Sequence, residues 1–264
     1  MKNSLRIFVI LVIFLMVGVS LTAHAALHAE KVQYKQGDTD LVGYLAYDDS
    51  TAGKRPGVLV VHEWWGLTDY VKKRAELLAQ KGYIALALDM YGGGKTTDHP
   101  KQAGEWATYI RQNRQVGKER FLAGYELLKN HRMAESNAIA AIGYCFGGYI
   151  VLATAQEGVD LRGVVSFHGA LPDARVEPNT IKAKILVCHG AEDATVKQDQ
   201  IVRFMDNLRY AKADWQVIVY SGAKHGFTNP AADSHGIPVL GYNADADRRS
   251  WKAMLTFFQE IFGE

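Results

Sequence analysis

The sequence predicts an α/β protein with one mostly parallel central sheet and helices on both faces. Three observations carry that expectation. Short continuous apolar runs recur along the chain, as strands buried on both faces require. Segments of helical periodicity fall between several of them. The two alternate, which is how β-α units wind around a parallel sheet.

The elements follow in order. Glu30–Lys35 and Leu41–Tyr47 read as two strands joined at Gln36-Gly37-Asp38-Thr39, an antiparallel hairpin. Val58–Val61 is the first buried strand, and Thr68–Lys81 carries Val71, Ala75, Leu77 and Leu78 at helical spacing. Gly82 sits where a helix C-cap belongs. Ile84–Leu88 is the next strand, followed by the loop Gly92-Gly93-Gly94 and one long helical stretch from Gln102 to Leu128. Ile139–Gly143, Val164–Phe167, Ile185–Cys188 and Val217–Tyr220 supply four more strands. Helices are clearest at Gly148–Ala155, Gln200–Tyr210 and Asp247–Phe262, the last with Trp251, Leu255, Phe258 and Phe262 along one face.

Residues 1–25 read as a secretory signal peptide. Lys2 and Arg6 precede the apolar run Ile7–Val19, and Ala23-His24-Ala25 is a small-x-small cleavage site. The run is shorter than the ~20 residues a membrane span needs. The expected mature protein is therefore exported, periplasmic or secreted, without a stable membrane anchor. Residues 26–264 contain no linker or repeat and read as a single domain. Removing Lys2 and Arg6 from the 30 basic residues leaves them level with the 28 acidic ones. That balance gives no reason to expect a nucleic-acid partner. The sequence leaves open a monomer or a small homo-oligomer.

Gly143-Tyr144-Cys145-Phe146-Gly147-Gly148 joins a buried strand to a helix. This is the G-x-nucleophile-x-G elbow, with cysteine in the nucleophile's place. The glycines are needed because side chains two residues either side of the bend would strike the neighbouring strand and helix. The Phe146 N–H, at the helix start, is then free to donate to an oxyanion, and the helix terminus favours a thiolate on Cys145. A disulfide to Cys188 is disfavoured, since each cysteine ends a different core strand.

A cysteine at its free pKa is mostly thiol at neutral pH, so it needs a base. The α/β-hydrolase fold predicts the chain order nucleophile, acid, histidine. Asp193 leaves the Ile185–Cys188 strand and is the candidate acid, with Glu192 as the alternative. His225 follows the last strand and is the candidate base. Both lie beyond strand carboxyl ends, where open α/β sheets place their sites. His62-Glu63-Trp64-Trp65-Gly66 ends the Val58–Val61 strand, and the Trp64 N–H is the candidate second oxyanion donor. It is not a zinc motif, because Gly66 stands where a second histidine belongs. No metal or cofactor is expected.

With these segments the chain resembles the dienelactone hydrolase family from about Lys31 onward. The resemblance rests on HEWWG at His62–Gly66, LDMYGGG at Leu88–Gly94, GYCFGG at Gly143–Gly148, HGAEDATV at His189–Val196 and AKHGF at Ala223–Phe227. It implies an α/β-hydrolase fold, a Cys145–His225–Asp193 triad, and metal-free hydrolysis of cyclic enol-lactones and related esters. It also implies that Glu63 meets the resting thiol and takes its proton when substrate binds. A carboxylate there disfavours thiolate by like-charge repulsion, which protects an exported cysteine from oxidation.

The chain departs from the family's pattern at two arginines that bind a substrate carboxylate. One position falls in Gly92-Gly93-Gly94 and the other at Thr228-Asn229. Lysine at 95 or 224 is a point charge rather than a fork. The expected substrate is thus a small ester or lactone, its space lined by Trp65, Tyr91, Tyr144, His168 and Asn229. A general carboxylesterase or thioesterase is the alternative enzyme, and a non-catalytic binding protein on the same fold is the alternative of another class. A thiol redox protein is disfavoured by the lack of a C-x-x-C.

Overall fold

The protein is seen in a computed structural model that describes residues 27–50 and 52–263. The expected signal peptide lies outside the described residues. Eight strands form one sheet in the order β1-β2-β4-β3-β5-β6-β7-β8. β1 (Leu27–Gln36) and β2 (Thr39–Asp48) form the expected hairpin, with Gly37 at φ 54° in its turn. β2 pairs antiparallel with β4 (Ile84–Leu88). From there β3 (Arg55–Val61), β5 (Ala134–Tyr144), β6 (Gly163–Phe167), β7 (Lys184–Gly190) and β8 (Trp215–Tyr220) all run parallel.

Because side chains alternate along a strand, each strand feeds two cores. Leu59, Val61, Leu86, Leu88 and Val164 pack on one side under α2 (Pro100–Gln112), α3 (Arg114–Lys129), α4 (Phe146–Gln156) and α5 (Gln198–Tyr210). Val58, Val60, Ala85, Ala87 and Val165 pack on the other under α1 (Asp69–Ala79) and α6 (Ala244–Phe262). The unbroken apolar runs in the sequence reflect this two-sided burial.

Two expectations are corrected. The stretch read as one helix is two, α2 and α3, broken at Asn113 with φ −105° and ψ 64°. The Asn113 side chain bonds back to the Tyr109 carbonyl, offering the backbone an alternative to continued helix. On α6 the buried stripe runs through Met254, Phe257, Phe258 and Ile261, so Trp251, Leu255 and Phe262 lie at its edge. Gly82, at φ 92°, does follow α1, where its conformation lets the Tyr83 N–H bond the Leu78 carbonyl.

Parallel strands deliver their carboxyl ends to one edge of the sheet. Val61, Tyr144, Phe167, Gly190 and Tyr220 all end there. The loops that follow are the ones the sequence marked as chemical. Among the described residues, no helix is long and apolar enough to cross a membrane.

Candidate active site

The bend between β5 and α4 is built as its glycines require. Cys145 sits at φ 54° and ψ −111°, a conformation that L-residues rarely adopt. The Cys145 N–H bonds the Phe167 carbonyl at 3.0 Å, which ties the bend to β6. A Cβ at position 143 would stand 2.1 Å from the Gly147 carbonyl oxygen, and one at 147 would stand 2.2 Å from that of Val61. No other residue fits either place. The strained backbone lifts the Cys145 side chain out of the fold, and it is the partly exposed cysteine of the two. Cys188 is buried, and burial pushes its thiol up to about 12. Both cysteines are free.

His225 reaches across from the loop after β8. Its Nε2 lies 3.0 Å from Cys145 Sγ, and its Nδ1 lies 2.8 Å from Asp193 Oδ2. The exposed Glu192 lies outside this chain of bonds. Burial disfavours the imidazolium, but the interactions of His225 with Cys145 and Asp193 outweigh it and hold His225 well above the ordinary imidazole range. Burial likewise disfavours the Asp193 carboxylate. Hydrogen bonds from His225 and Thr195 outweigh that and hold it down at about 2. Thr195 donates to Asp193 Oδ1 through both its backbone N–H (2.9 Å) and its hydroxyl (2.6 Å).

The loop after β3 packs against the bend. His62 Nδ1 donates to the Glu63 carbonyl at 2.5 Å, while its Nε2 accepts from the Met90 N–H at 3.2 Å. Burial lowers the His62 pKa, which suits this neutral tautomer. The His62 ring stacks on Phe146 with centroids 5.7 Å apart, joining the two oxyanion-donor candidates' loops. Neither the Phe146 nor the Trp64 N–H has an acceptor among the described residues. Glu63 is buried, and its Oε2 accepts from Asn229 Nδ2 at 2.6 Å. Burial pushes its carboxyl up to about 7, against Asn229, His225 and Arg74. The thiol faces His225 here, so the resting thiol contact that the resemblance implies for Glu63 is replaced by the bond to Asn229.

Comparison with known proteins bears on the chain as a whole. The profile described as the dienelactone hydrolase family matches residues 41–262, nearly the whole described chain. The chain belongs to the dienelactone hydrolase family. A solved dienelactone hydrolase-like promiscuous phosphotriesterase, P91 from metagenomic libraries, is 38% identical over 89% of this chain and 98% of its own, with a TM-score of 0.83. A second solved structure, m3DLH, is 37% identical over 89% and 99%, with a TM-score of 0.85. Protein usf of Aquifex pyrophilus is 28% identical over 88% of this chain and 98% of its own length.

In this dienelactone hydrolase family member, two loops depart from the arginine pattern. Asp89 occupies itself with the glycine loop, accepting from the N–H groups of Val42, Tyr91, Gly92 and Gly94 at 2.7–3.1 Å. Asn229 is engaged by Glu63. Lys224 bonds the Pro238 carbonyl on the surface, and Lys95 is exposed.

Beside the Glu63–Asn229 pair opens a cavity of about 500 Å³, with Trp65, Tyr70, Asn229 and His235 in its wall. Trp65 stacks on His235 with centroids 4.2 Å apart. Tyr91 lies against His62 and Phe146, and its hydroxyl donates to the Trp64 carbonyl at 3.0 Å, so it braces the loop. Two expectations are corrected. Tyr144 is fully buried, stacked on Phe167 beneath Arg74, because the last residue of a two-sided strand points into the core. His168 is fully buried behind His225, with its Nε2 2.7 Å from Thr228 Oγ1. Burial holds its pKa well below the imidazole range. Neither contacts solvent.

Sequence reasoning missed Thr195, Thr228 and Arg74. Thr195 had a local signal, since a threonine two residues after an aspartate favours a side-chain-closed turn. Arg74 had none. It donates to the Thr228 carbonyl (2.5 Å) and to Asp247 (2.6 Å), partners 154 and 173 residues away. Among the described residues, no cluster of three metal-ligating side chains occurs.

Proposed function

We propose that this chain hydrolyses a small carboxylic ester or lactone through an acyl-Cys145 intermediate. One observation carries the reading: a sulfur, an imidazole and a carboxylate in line, at 3.0 Å and 2.8 Å, on a strained bend.

Cys145 Sγ, its proton held by His225, attacks the carbonyl carbon. The carbonyl oxygen takes the negative charge and is met by the Phe146 and Trp64 N–H groups. His225 then protonates the departing alkoxide, leaving the acid part bound to sulfur as a thioester. Water attacks that thioester while His225 Nε2 removes its proton. The acid leaves, and sulfur returns to His225. Asp193, fixed by Thr195, orients the imidazole throughout. We further assign Glu63 control of the resting thiol, exerted through its charge rather than through direct contact, since its carboxyl bonds Asn229. Export by the segment 1–25 is part of the same proposal.

Substrate screening of the mature protein tests it. Short aryl esters and lactones are expected to turn over, and Cys145→Ala is expected to abolish this while the fold persists. Intact mass under single turnover should show one acyl group on the wild type. Undiminished turnover in Cys145→Ala overturns the assignment. A second reading, hydrolysis of phosphate triesters at the same sulfur, is favoured by the likeness to the phosphotriesterase P91. Paraoxon belongs in the same screen.

A further inference from the structure

We infer that the cavity beside Glu63 selects esters whose remote end is uncharged or cationic, and turns away carboxylate-bearing ones. The inference rests on the proposed hydrolysis and names its substrate class.

The cavity is a built space. The antiparallel bridge between Gly66 and Thr96, and the Thr97 N–H on the Trp65 carbonyl at 3.1 Å, fix its two main loops together. Gly66, at φ 89°, permits the close approach: a Cβ there would stand 2.1 Å from the Lys95 carbonyl oxygen. Asn229, in the cavity wall, bonds Glu63, and Trp65, also in the wall, directly follows the oxyanion candidate Trp64 in the same loop. Tyr70, in the wall as well, has its hydroxyl 2.6 Å from Thr228 Oγ1.

Apart from the His235 imidazole, the ionisable groups in that wall are acidic. Asp69 and Asp98 line it, and no lysine or arginine does. Lys72 lies outside the lining and offsets Asp69 at 2.9 Å; His99 stands 3.5 Å from Asp98. The buried Glu63 adds a third carboxyl just beyond Asn229. A carboxylate entering here loses hydration and meets no counter-ion, which is costly. A neutral group loses little. A quaternary ammonium gains from the acidic rim and from the faces of Trp65 and Tyr70. Asp69 and Asp98 are solvent-exposed, so screening keeps the preference moderate.

The experiment uses three nearly isosteric p-nitrophenyl esters: the 5,5-dimethylhexanoate, the 4-trimethylammoniobutyrate and the glutarate monoester. At low ionic strength, kcat/KM for the glutarate is expected to fall about fivefold below the neutral ester, as two or three screened charges at several ångströms imply. The ammonium ester should equal or exceed the neutral one. High salt should narrow the spread. Asp98→Lys, at a position 89% exposed, should raise the glutarate-to-neutral ratio. Glutarate cleaved as fast as the neutral ester, or a ratio unmoved by Asp98→Lys, overturns the inference. If none of the three is cleaved, the hydrolase reading fails, and binding alone decides the pocket. Intrinsic tryptophan fluorescence is then titrated with choline, 3,3-dimethylbutan-1-ol and 3,3-dimethylbutyrate. Tightest binding by the butyrate overturns the inference; weakest binding by it supports it.

Discussion

Asn229 Nδ2 lies 2.6 Å from Glu63 Oε2, and both residues are buried. A neutral amide is a weak partner for a buried carboxylate. It lowers the carboxyl pKa, yet burial still wins and leaves Glu63 at about 7. Glu63 therefore changes charge at physiological pH rather than far below it.

That placement makes stability depend on pH with a definite sign. The folded pKa is raised from the ordinary 4.5 to about 7, so the folded state prefers the proton. The contribution is fully present below about pH 4.5 and is lost as pH rises through about 7. A gap of this size corresponds to about 3 kcal/mol as an upper figure. Glu63→Gln keeps a hydrogen-bonding group without the ionisation. Thermal melts from about pH 5 to about pH 8 should show a decline in the wild type that is flatter in Glu63→Gln. Equal slopes in the two proteins would show that Glu63 does not titrate in this window.

The second prediction concerns Asp193 and the hydroxyl behind it. Asp193→Asn keeps the shape but presents an amide to His225 Nδ1, which favours the wrong tautomer. Turnover of any active ester should fall by about 10²–10⁴ with little change in KM. Thr195→Val removes one of the two donors to Asp193 Oδ1 and keeps the backbone one. Its loss should be milder, about tenfold in kcat, as for one charge-assisted hydrogen bond. Steady-state kinetics on both variants checks the order; a larger loss in Thr195→Val than in Asp193→Asn would overturn it.

These residues also show what was legible beforehand. Cys145, Asp193 and His225 could be found because each lies just past an apolar strand, and strand ends converge in a parallel sheet. Glu63 and Trp64 likewise lie just past the end of β3. Tyr144 and His168 were misplaced because a position at a strand's carboxyl end says nothing about which face of the sheet a ring occupies. Asn113 broke a helix that periodicity ran straight through, since a capping side chain leaves the apolar spacing on either side unchanged. Arg74 was invisible, and Thr228 was visible only as a position without arginine, because their contacts exist only once α1, α6 and the loop after β8 meet.

The bend itself gives the third prediction. Gly147→Ala would force a methyl to 2.2 Å from the Val61 carbonyl oxygen, between two backbones that cannot yield. The cost should be about 3 kcal/mol or more. Gly82→Ala is the control: its φ is 92°, but nothing lies within 4 Å of the added carbon. That change should cost about 1–2 kcal/mol, from backbone conformation alone. Urea unfolding monitored by fluorescence separates the two. A Gly147→Ala protein as stable as Gly82→Ala would mean that the bend can open.

The fourth prediction joins stability to the site. Arg74 and Asp247 form a buried ion pair at 2.6 Å between α1 and α6, their side chains 8% and 16% exposed. The guanidinium lies within 5.1–5.6 Å of the ring centroids of Tyr70, Tyr144 and Trp251. Arg74→Met keeps the apolar stem but strands the Asp247 carboxylate, so it should destabilise by about 3–5 kcal/mol. Adding Asp247→Leu removes the stranded charge and should recover a large part of that loss. It should not recover activity fully, because Arg74 also holds the Thr228 carbonyl, one residue before Asn229. With that donor gone the loop carrying Asn229 is released, and Glu63 loses its partner. The double variant is therefore expected to melt near the wild type yet turn over ester more slowly, with its pH dependence displaced upward. A double variant that recovers both stability and rate would show that Arg74 braces the helices alone and leaves the loop after β8 to hold itself.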